Sequence, residues 1–323
     1  MAYAEVTNIE ASDIPIIDVS PLLEEGRAGV SGVAAQMLEA SERIGFFYVR
    51  NHGVPRSVID ATVAEAFAFF RQPQEAKLTV RVSPHHRGFI PVGEAKMYGG
   101  ARPDLKESFL WGLDIPPDDP DFRAGALLAP NQWPGGRPAM RDAFIGYFEA
   151  THVIGWRLMR AFAAALDIDD SYFVRRIAKP ISRCSAVYYP PQPPESESEQ
   201  FGVAPHTDYG CLTLVYQANV GGLEVYGRDR QWVLAHRIED TFVVNVGDLL
   251  ARWTNDRFRS TPHRVVNRSG EERLSLATFV DPQDDCLIEP VCRPGESPRY
   301  EPVRCGDYIR GRFDRSFAYR KKS

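Results

Sequence analysis

His206 and Asp208 stand two residues apart in Ala204-Pro205-His206-Thr207-Asp208, and His263 heads another strand-like run, Ser260-Thr261-Pro262-His263-Arg264-Val265-Val266. Side chains alternate across an extended strand, so residues i and i+2 project from one face. An imidazole and a carboxylate placed that way can grip one ion without distorting the backbone. His263 would supply the third ligand. Two neutral nitrogens and one carboxylate on one face of an octahedron leave the opposite face open, an arrangement suited to ferrous iron. A bidentate 2-oxo acid can then take two positions and O₂ the third. The His-Thr-Asp pair alone is a weak signal, because such turns arise on surfaces by chance.

Ten residues after His263 comes Arg273-Leu274-Ser275, again an i and i+2 pair on one strand face. A guanidinium matches a planar carboxylate with two parallel charge-assisted hydrogen bonds, and a serine hydroxyl can add one more. A keto acid chelated at iron needs such an anchor for its distal carboxylate. Taken singly, Arg273 reads as an ordinary surface ion pair and Ser275 as a satisfied strand hydroxyl. Of the other histidines, His52 falls in a turn, His85 and His86 read as solvent-facing loop residues, and His152 and His236 have no evident partner.

These residues need a scaffold, and the second half of the chain supplies strand-like runs. Residues 186–189, 212–217, 223–226, 232–235, 242–246, 263–267 and 273–280 alternate with Gly, Pro, Asn and Asp turns at intervals of roughly ten residues, a pattern of β-sandwiches and barrels. Gly227-Arg228-Asp229-Arg230 reads as a hairpin turn. Earlier, Ile14–Val19 and Phe46–Val49 read as strands. Ser31 is placed to cap a helix carrying Val33, Met37, Ala40 and Ile44, and a second helix carries Ile59, Val63, Phe67 and Phe70. Residues 139–166 form one long amphipathic pattern, with a small register adjustment midway, and Asp307–Phe317 is helix-like. The expected fold is mainly β with flanking helices around a double-stranded β-helix (jelly-roll) core.

Composition sets limits. The chain has 323 residues, 44% hydrophobic and 25% charged, with a net charge of −5. That suits a folded protein with a sizeable core and argues against nucleic-acid binding, which needs a basic footprint. The one basic run, Arg320-Lys321-Lys322, reads as a solvated end. No apolar run approaches the ~18 residues of a membrane span, and the first residues show no signal peptide. Five cysteines without a C-x-x-C pair point to reduced thiols rather than a disulfide framework or zinc site. A cytoplasmic setting follows as the expectation.

Several further motifs fall in one order along the chain: Ile14-Pro15-Ile16-Ile17-Asp18, residues 44–54, Asp104-Leu105-Lys106-Glu107-Ser108-Phe109, Tyr188-Tyr189-Pro190-Pro191, Asn245-Val246-Gly247-Asp248 and Trp253-Thr254-Asn255. With the His206, His263 and Arg273 motifs, this set resembles the 2-oxoglutarate/Fe(II) dioxygenases of the isopenicillin N synthase-like group, over nearly the whole chain.

The resemblance implies roles. His206, Asp208 and His263 match the catalytic iron ligands. Arg273 and Ser275 match the pair holding the distal carboxylate of 2-oxoglutarate, and Tyr189 matches a further cosubstrate contact. Plant members often carry Asn where Val187 stands, so that polar contact is missing here. Phe279 matches an aromatic facing the substrate in flavonoid-oxidising relatives, though a buried strand phenylalanine serves equally as core. Residues 87–102 and 310–319 are expected to shape the pocket. The implied cofactors are Fe(II), 2-oxoglutarate and O₂, with ascorbate as reductant. The implied reaction is hydroxylation, desaturation or cyclisation of a small-molecule metabolite, releasing succinate and CO₂. A monomer is expected, in four segments forming one unit: an N-terminal segment (1–115), a helical segment (116–181), the catalytic core (182–283) and a C-terminal loop and helix (284–323). Two alternatives stay open: an oxidase of this fold that does not use 2-oxoglutarate, and a non-catalytic ligand sensor.

Overall fold

The longest strand, Arg273–Val280, is buried along nearly its whole length and flanked on both edges, so it lies at the centre of the molecule. Its two faces do different work. Leu274, Leu276, Thr278 and Val280 point towards helices, while Arg273, Ser275, Ala277 and Phe279 point into a cleft. Full burial of Leu274 and Leu276 is worth roughly 1.5–3 kcal/mol each. The computed structural model of the chain describes residues 14–24, 27–95, 102–123, 125–177, 179–192 and 201–320.

The strands run in chain order as β1 (Ile16–Asp18), β2 (Phe46–Arg50), β3 (Gly88–Ile90), β4 (Glu107–Gly112), β5 (Arg183–Tyr189), β6 (Val203–His206), β7 (Leu212–Gln217), β8 (Leu223–Tyr226), β9 (Trp232–Ala235), β10 (Thr241–Val246), β11 (His263–Val265) and β12 (Arg273–Val280). An eight-stranded sheet has the order β1-β2-β10-β7-β12-β5-β4-β3, and a four-stranded sheet the order β6-β11-β8-β9. Residues from both sheets line one cleft, as in a jelly roll. A short ribbon pairs Leu287–Ile288 with Val303–Arg304.

The helices are α1 (Arg27–Arg43), α2 (Arg56–Phe70), α3 (Gln74–Leu78), α4 (Pro138–Ala165), α5 (Asp248–Trp253) and α6 (Cys305–Ser316). Pro138 opens α4, where its missing N–H costs nothing. Asp167, at φ +55°, follows its end in the left-handed region that Asp tolerates. α4 packs against α1, α2 and β12. At Gly155 the helix approaches so closely that a Cβ would lie 2.6 Å from Val280. No helix among the described residues is long and apolar enough to cross a membrane.

Two expectations change and one holds. Helix α1 starts at Arg27, so Ser31 lies inside it and is exposed rather than capping. Gly29 permits this, because its backbone closes on Pro21, where a Cβ would meet the proline ring at 2.8 Å. The 139–166 pattern is one continuous helix. Arg320 is no solvated end: it pairs with Asp314 at 2.7 Å and donates to the Pro84 carbonyl at 2.6 Å. Lys321, Lys322 and the first thirteen residues lie outside the described residues.

Candidate metal centre and active site

His263 and His206 are direct partners across the antiparallel β11–β6 ladder. The pairing brings their rings to 4.3 Å between centroids. β6 ends at His206, so Asp208 sits in the turn just beyond the strand rather than on it. The turn curls back: both imidazole Nε2 atoms lie 3.7 Å from Asp208 Oδ1. The three potential ligand atoms all fall within 4.8 Å of one another.

Hydrogen bonds aim each donor. His206 Nδ1 meets the Ala204 carbonyl at 2.9 Å, and His263 Nδ1 meets the Thr261 carbonyl at 3.2 Å. A carbonyl can only accept, so both Nδ1 atoms carry hydrogen and both Nε2 lone pairs are bare, the tautomer a metal needs. Asp208 Oδ2 accepts from the Thr213 hydroxyl at 2.6 Å and from the Asn245 amide at 2.8 Å, leaving Oδ1 for the imidazoles. Burial and the neighbouring His263 push the His206 imidazole down to about 3, so it stays neutral at neutral pH. Burial opposes ionisation of Asp208. The two histidines and its hydroxyl and amide donors outweigh that and hold the carboxyl below its ordinary value. The site fits a divalent ion of borderline hardness.

Helix α5 braces the turn. The Asp248 N–H donates to the Asp208 carbonyl at 2.8 Å, and the Leu249 N–H to the Gly210 carbonyl at 3.0 Å. Gly210 and Gly247 make the approach possible. A Cβ on Gly247 would stand 2.2 Å from the Gly210 carbonyl, and one on Gly210 would stand 2.1 Å from Asp281. The Asp248 carboxylate accepts from Thr207 at 3.1 Å and Ser260 at 2.6 Å, so it ties the turn between His206 and Asp208 and the segment before His263 to one point.

Along the same cleft, Arg273 is 1% exposed, yet no carboxylate pairs with it among the described residues. Its Nε donates to the Gly221 carbonyl at 2.7 Å, and its two terminal nitrogens reach Ser275 and Gln217 at 3.3 Å each. Burial lowers its pKa, but a guanidinium remains charged near neutrality. A buried cation without an anion is costly unless a ligand supplies one. Tyr189, Ser275 and Arg273 line the cleft together with His206, Asp208 and His263. The arrangement can therefore hold a dianion with one end at a metal and the other at Arg273.

Two family profiles match the chain. Residues 14–136 match the N-terminal region of the non-haem dioxygenase in morphine synthesis, and residues 180–282 match the 2OG-Fe(II) oxygenase superfamily. The 2-oxoglutarate-Fe(II) type oxidoreductase hxnY of Emericella nidulans is 33% identical, over 95% of this chain and 93% of its own length. The chain belongs to the 2-oxoglutarate/Fe(II) oxygenases.

Solved structures agree. The full-length Neurospora crassa T7H in complex with alpha-KG and thymine superposes with a TM-score of 0.82 at 29% identity, covering 93% of this chain and 97% of that one. JOX2 in complex with 2OG, Fe and JA gives a TM-score of 0.78 at 27% identity, covering 97% and 87%. Use of 2-oxoglutarate, iron and oxidative turnover thus hold for this oxygenase over both alternatives left open by its sequence.

A second chamber of the oxygenase reaches His206 and Asp208. Phe279, Arg183, Lys106, Tyr209, Phe313 and His86 are among the residues that line it. His86 corrects an expectation: it is 2% exposed, not a solvent-facing loop residue. Its backbone is left-handed at φ +61° in the Ser83–Arg87 turn, which folds the ring inward. There it stacks on Phe313 with centroids 4.1 Å apart and hydrogen-bonds the Tyr319 hydroxyl. His152 is also partnered, stacked on Phe148 at 5.4 Å. The 87–102 and 310–319 segments contribute Ile90, Ala95, Phe313 and Phe317 to the chamber, while residues 96–101 lie outside the described residues. Thr213, Gln217, Arg183 and Asp281 went unread in the sequence, since only pairing across strands reveals them. Asn245 and Lys106 lay in quoted motifs without an assigned task.

Proposed function

We propose that His206, Asp208 and His263 hold the iron of this oxygenase, that Arg273 and Ser275 beside Tyr189 hold the distal carboxylate of 2-oxoglutarate, and that Phe279 faces a small-molecule substrate. One observation carries the reading: three aimed ligand atoms converge at one end of a cleft that also holds a buried arginine without an anion. The neighbours T7H and JOX2 are in complex with thymine and JA, which supports a small molecule as substrate. The isopenicillin N synthase-like grouping belongs to the same reading, as does a division into segments 1–115, 116–181, 182–283 and 284–323. A monomer belongs to the same proposal. Five free thiols suit the cytoplasm.

When bound, iron(II) with 2-oxoglutarate supplies the activation of O₂ that couples decarboxylation of the keto acid to oxidation of a substrate C–H bond. The chain supplies position and exclusion of water. Thr213 and Asn245 fix which oxygen of Asp208 faces the metal. Arg273 sets the orientation of the keto acid by gripping its far end. Phe279 and Phe313 close the substrate side with apolar surface.

The test is metal analysis of His206→Ala and Asp208→Ala beside 2-oxoglutarate-dependent O₂ consumption by the parent chain. Both variants should lose iron and turnover together. Full iron occupancy in both would remove the assignment.

A further inference from the structure

The substrate chamber is walled by rings, and among the described residues Arg183 and Lys106, the two cations on its wall, each have an anion beside them. Arg183 pairs with Asp281 at 2.9 Å, both buried. Lys106 pairs with Asp104 at 3.4 Å, and Asp104 is 1% exposed. His86 is kept neutral by its burial and by Arg183, Arg87 and Arg320 nearby. Arg87 does not line the chamber; its terminal nitrogens donate to the carbonyls of Leu127 at 2.9 Å and His86 at 3.2 Å. On the metal side the charges of iron, Asp208, the cosubstrate dianion and Arg273 cancel among themselves. Among the described residues an added carboxylate would therefore meet no free counter-charge, a strongly unfavourable placement.

The polar groups left on the wall are mostly donors. The Arg183 guanidinium lies 4.5 Å over Phe279 and 4.7 Å over Phe313. Both rings pack on the guanidinium, and beyond its bond to Asp281 further N–H groups remain to meet a ligand. Lys106 has one described partner, the Asp104 carboxylate, and an ammonium carries three donors. We infer that the prime substrate is an uncharged, planar ring compound bearing a hydrogen-bond acceptor, such as a ring carbonyl, received by the Arg183 guanidinium and the Lys106 ammonium. The inference rests on the metal and cosubstrate assignment above.

The full chain loaded with manganese(II) and 2-oxoglutarate serves for the test, and that loading is measured first. Failure to load would count against the metal and cosubstrate assignment, separately from the substrate class. Calorimetry then compares matched pairs: uracil with orotate, 2-quinolone with its 4-carboxylate, and coumarin with its 3-carboxylate. The neutral member of at least one pair should bind about tenfold or more tightly than its carboxylate. Asp281→Asn and Asp104→Asn each release a cation, and each should shift that ratio about tenfold towards the carboxylate. If Asp281→Asn does not fold, Asp104→Asn alone decides the point. Carboxylates binding the unaltered chain as tightly as their neutral partners would overturn the inference. So would a panel in which no neutral member binds, or an unchanged ratio in the folded variants.

Discussion

Arg273 and Tyr189 stand opposite one another across the antiparallel β12–β5 ladder, with the guanidinium carbon 4.7 Å over the phenol ring. The ring presses the guanidinium flat, so its fork keeps one orientation. Arg273→Gln should weaken 2-oxoglutarate by roughly 10- to 100-fold, the 1.5–3 kcal/mol of a charge-assisted hydrogen bond. Arg273→Lys should recover little, because an ammonium cannot form the paired bonds. The 2-oxoglutarate dependence of O₂ consumption reads both effects, with iron content unchanged. Parent-like affinity in the Gln variant would sink the anchor.

Thr213→Val and Asn245→Leu each remove a donor from Asp208 Oδ2 while leaving all three metal-facing side chains in place. Loss of such an outer hydrogen bond costs roughly 10- to 100-fold in metal affinity. Chelator competition against the parent protein measures it. Equal affinity in both variants would show that the turn alone orients the carboxylate.

Acid should destabilise the metal-free chain through its buried histidines. The His86 pKa lies well below 6.5 in the folded state, so the unfolded chain takes up the proton first as pH falls. The stabilisation is fully present above about pH 6.5 and is lost below it, at up to roughly 1.4 kcal/mol per pH unit. His206, held near about 3, adds a loss of the same sign over the interval between those values. Urea unfolding at about pH 7.5 and about pH 5.5 should show a smaller loss for His86→Gln than for the parent. Parallel losses would mean that His86 is not buried as a neutral ring.

Two glycines of α4 should respond with opposite signs. Gly155→Ala forces a methyl against Val280. Overpacking costs about 1–3 kcal/mol, more than the ~1 kcal/mol alanine gains in helix propensity. Gly146 faces nothing within 4 Å, so Gly146→Ala keeps the gain. Thermal unfolding should show Tm lowered in the first variant and raised in the second. A rise in both would show that the helix can shift away from the sheet.

The chemistry of this chain was legible because most of the proposed ligands sit on short strands with local spacing rules. His206, His263, Arg273 and Ser275 could be read from i and i+2 alternation and from resemblance. Asp208 was placed on a strand that ends two residues too soon, since strand ends depend on what pairs across. Helix α5 has only six residues, too few for a 3.6-residue period to show, so its bracing of the metal turn was invisible. The inward turn of His86 and the pairing of Arg183 with Asp281 join residues far apart in the chain. Only the closed sheets bring them together.

The groups proposed to face the metal and the keto acid all fall on the stretch from β5 to β12, whereas His86, Ile90, Phe313 and Phe317, which help to wall the adjoining chamber, come from the two flanks. Part of the substrate wall is thus encoded apart from the reactive centre, while Arg183, Tyr209 and Phe279 tie the rest of that wall to it. Substitutions in the flanks can reshape one side of the chamber and leave the reactive centre untouched.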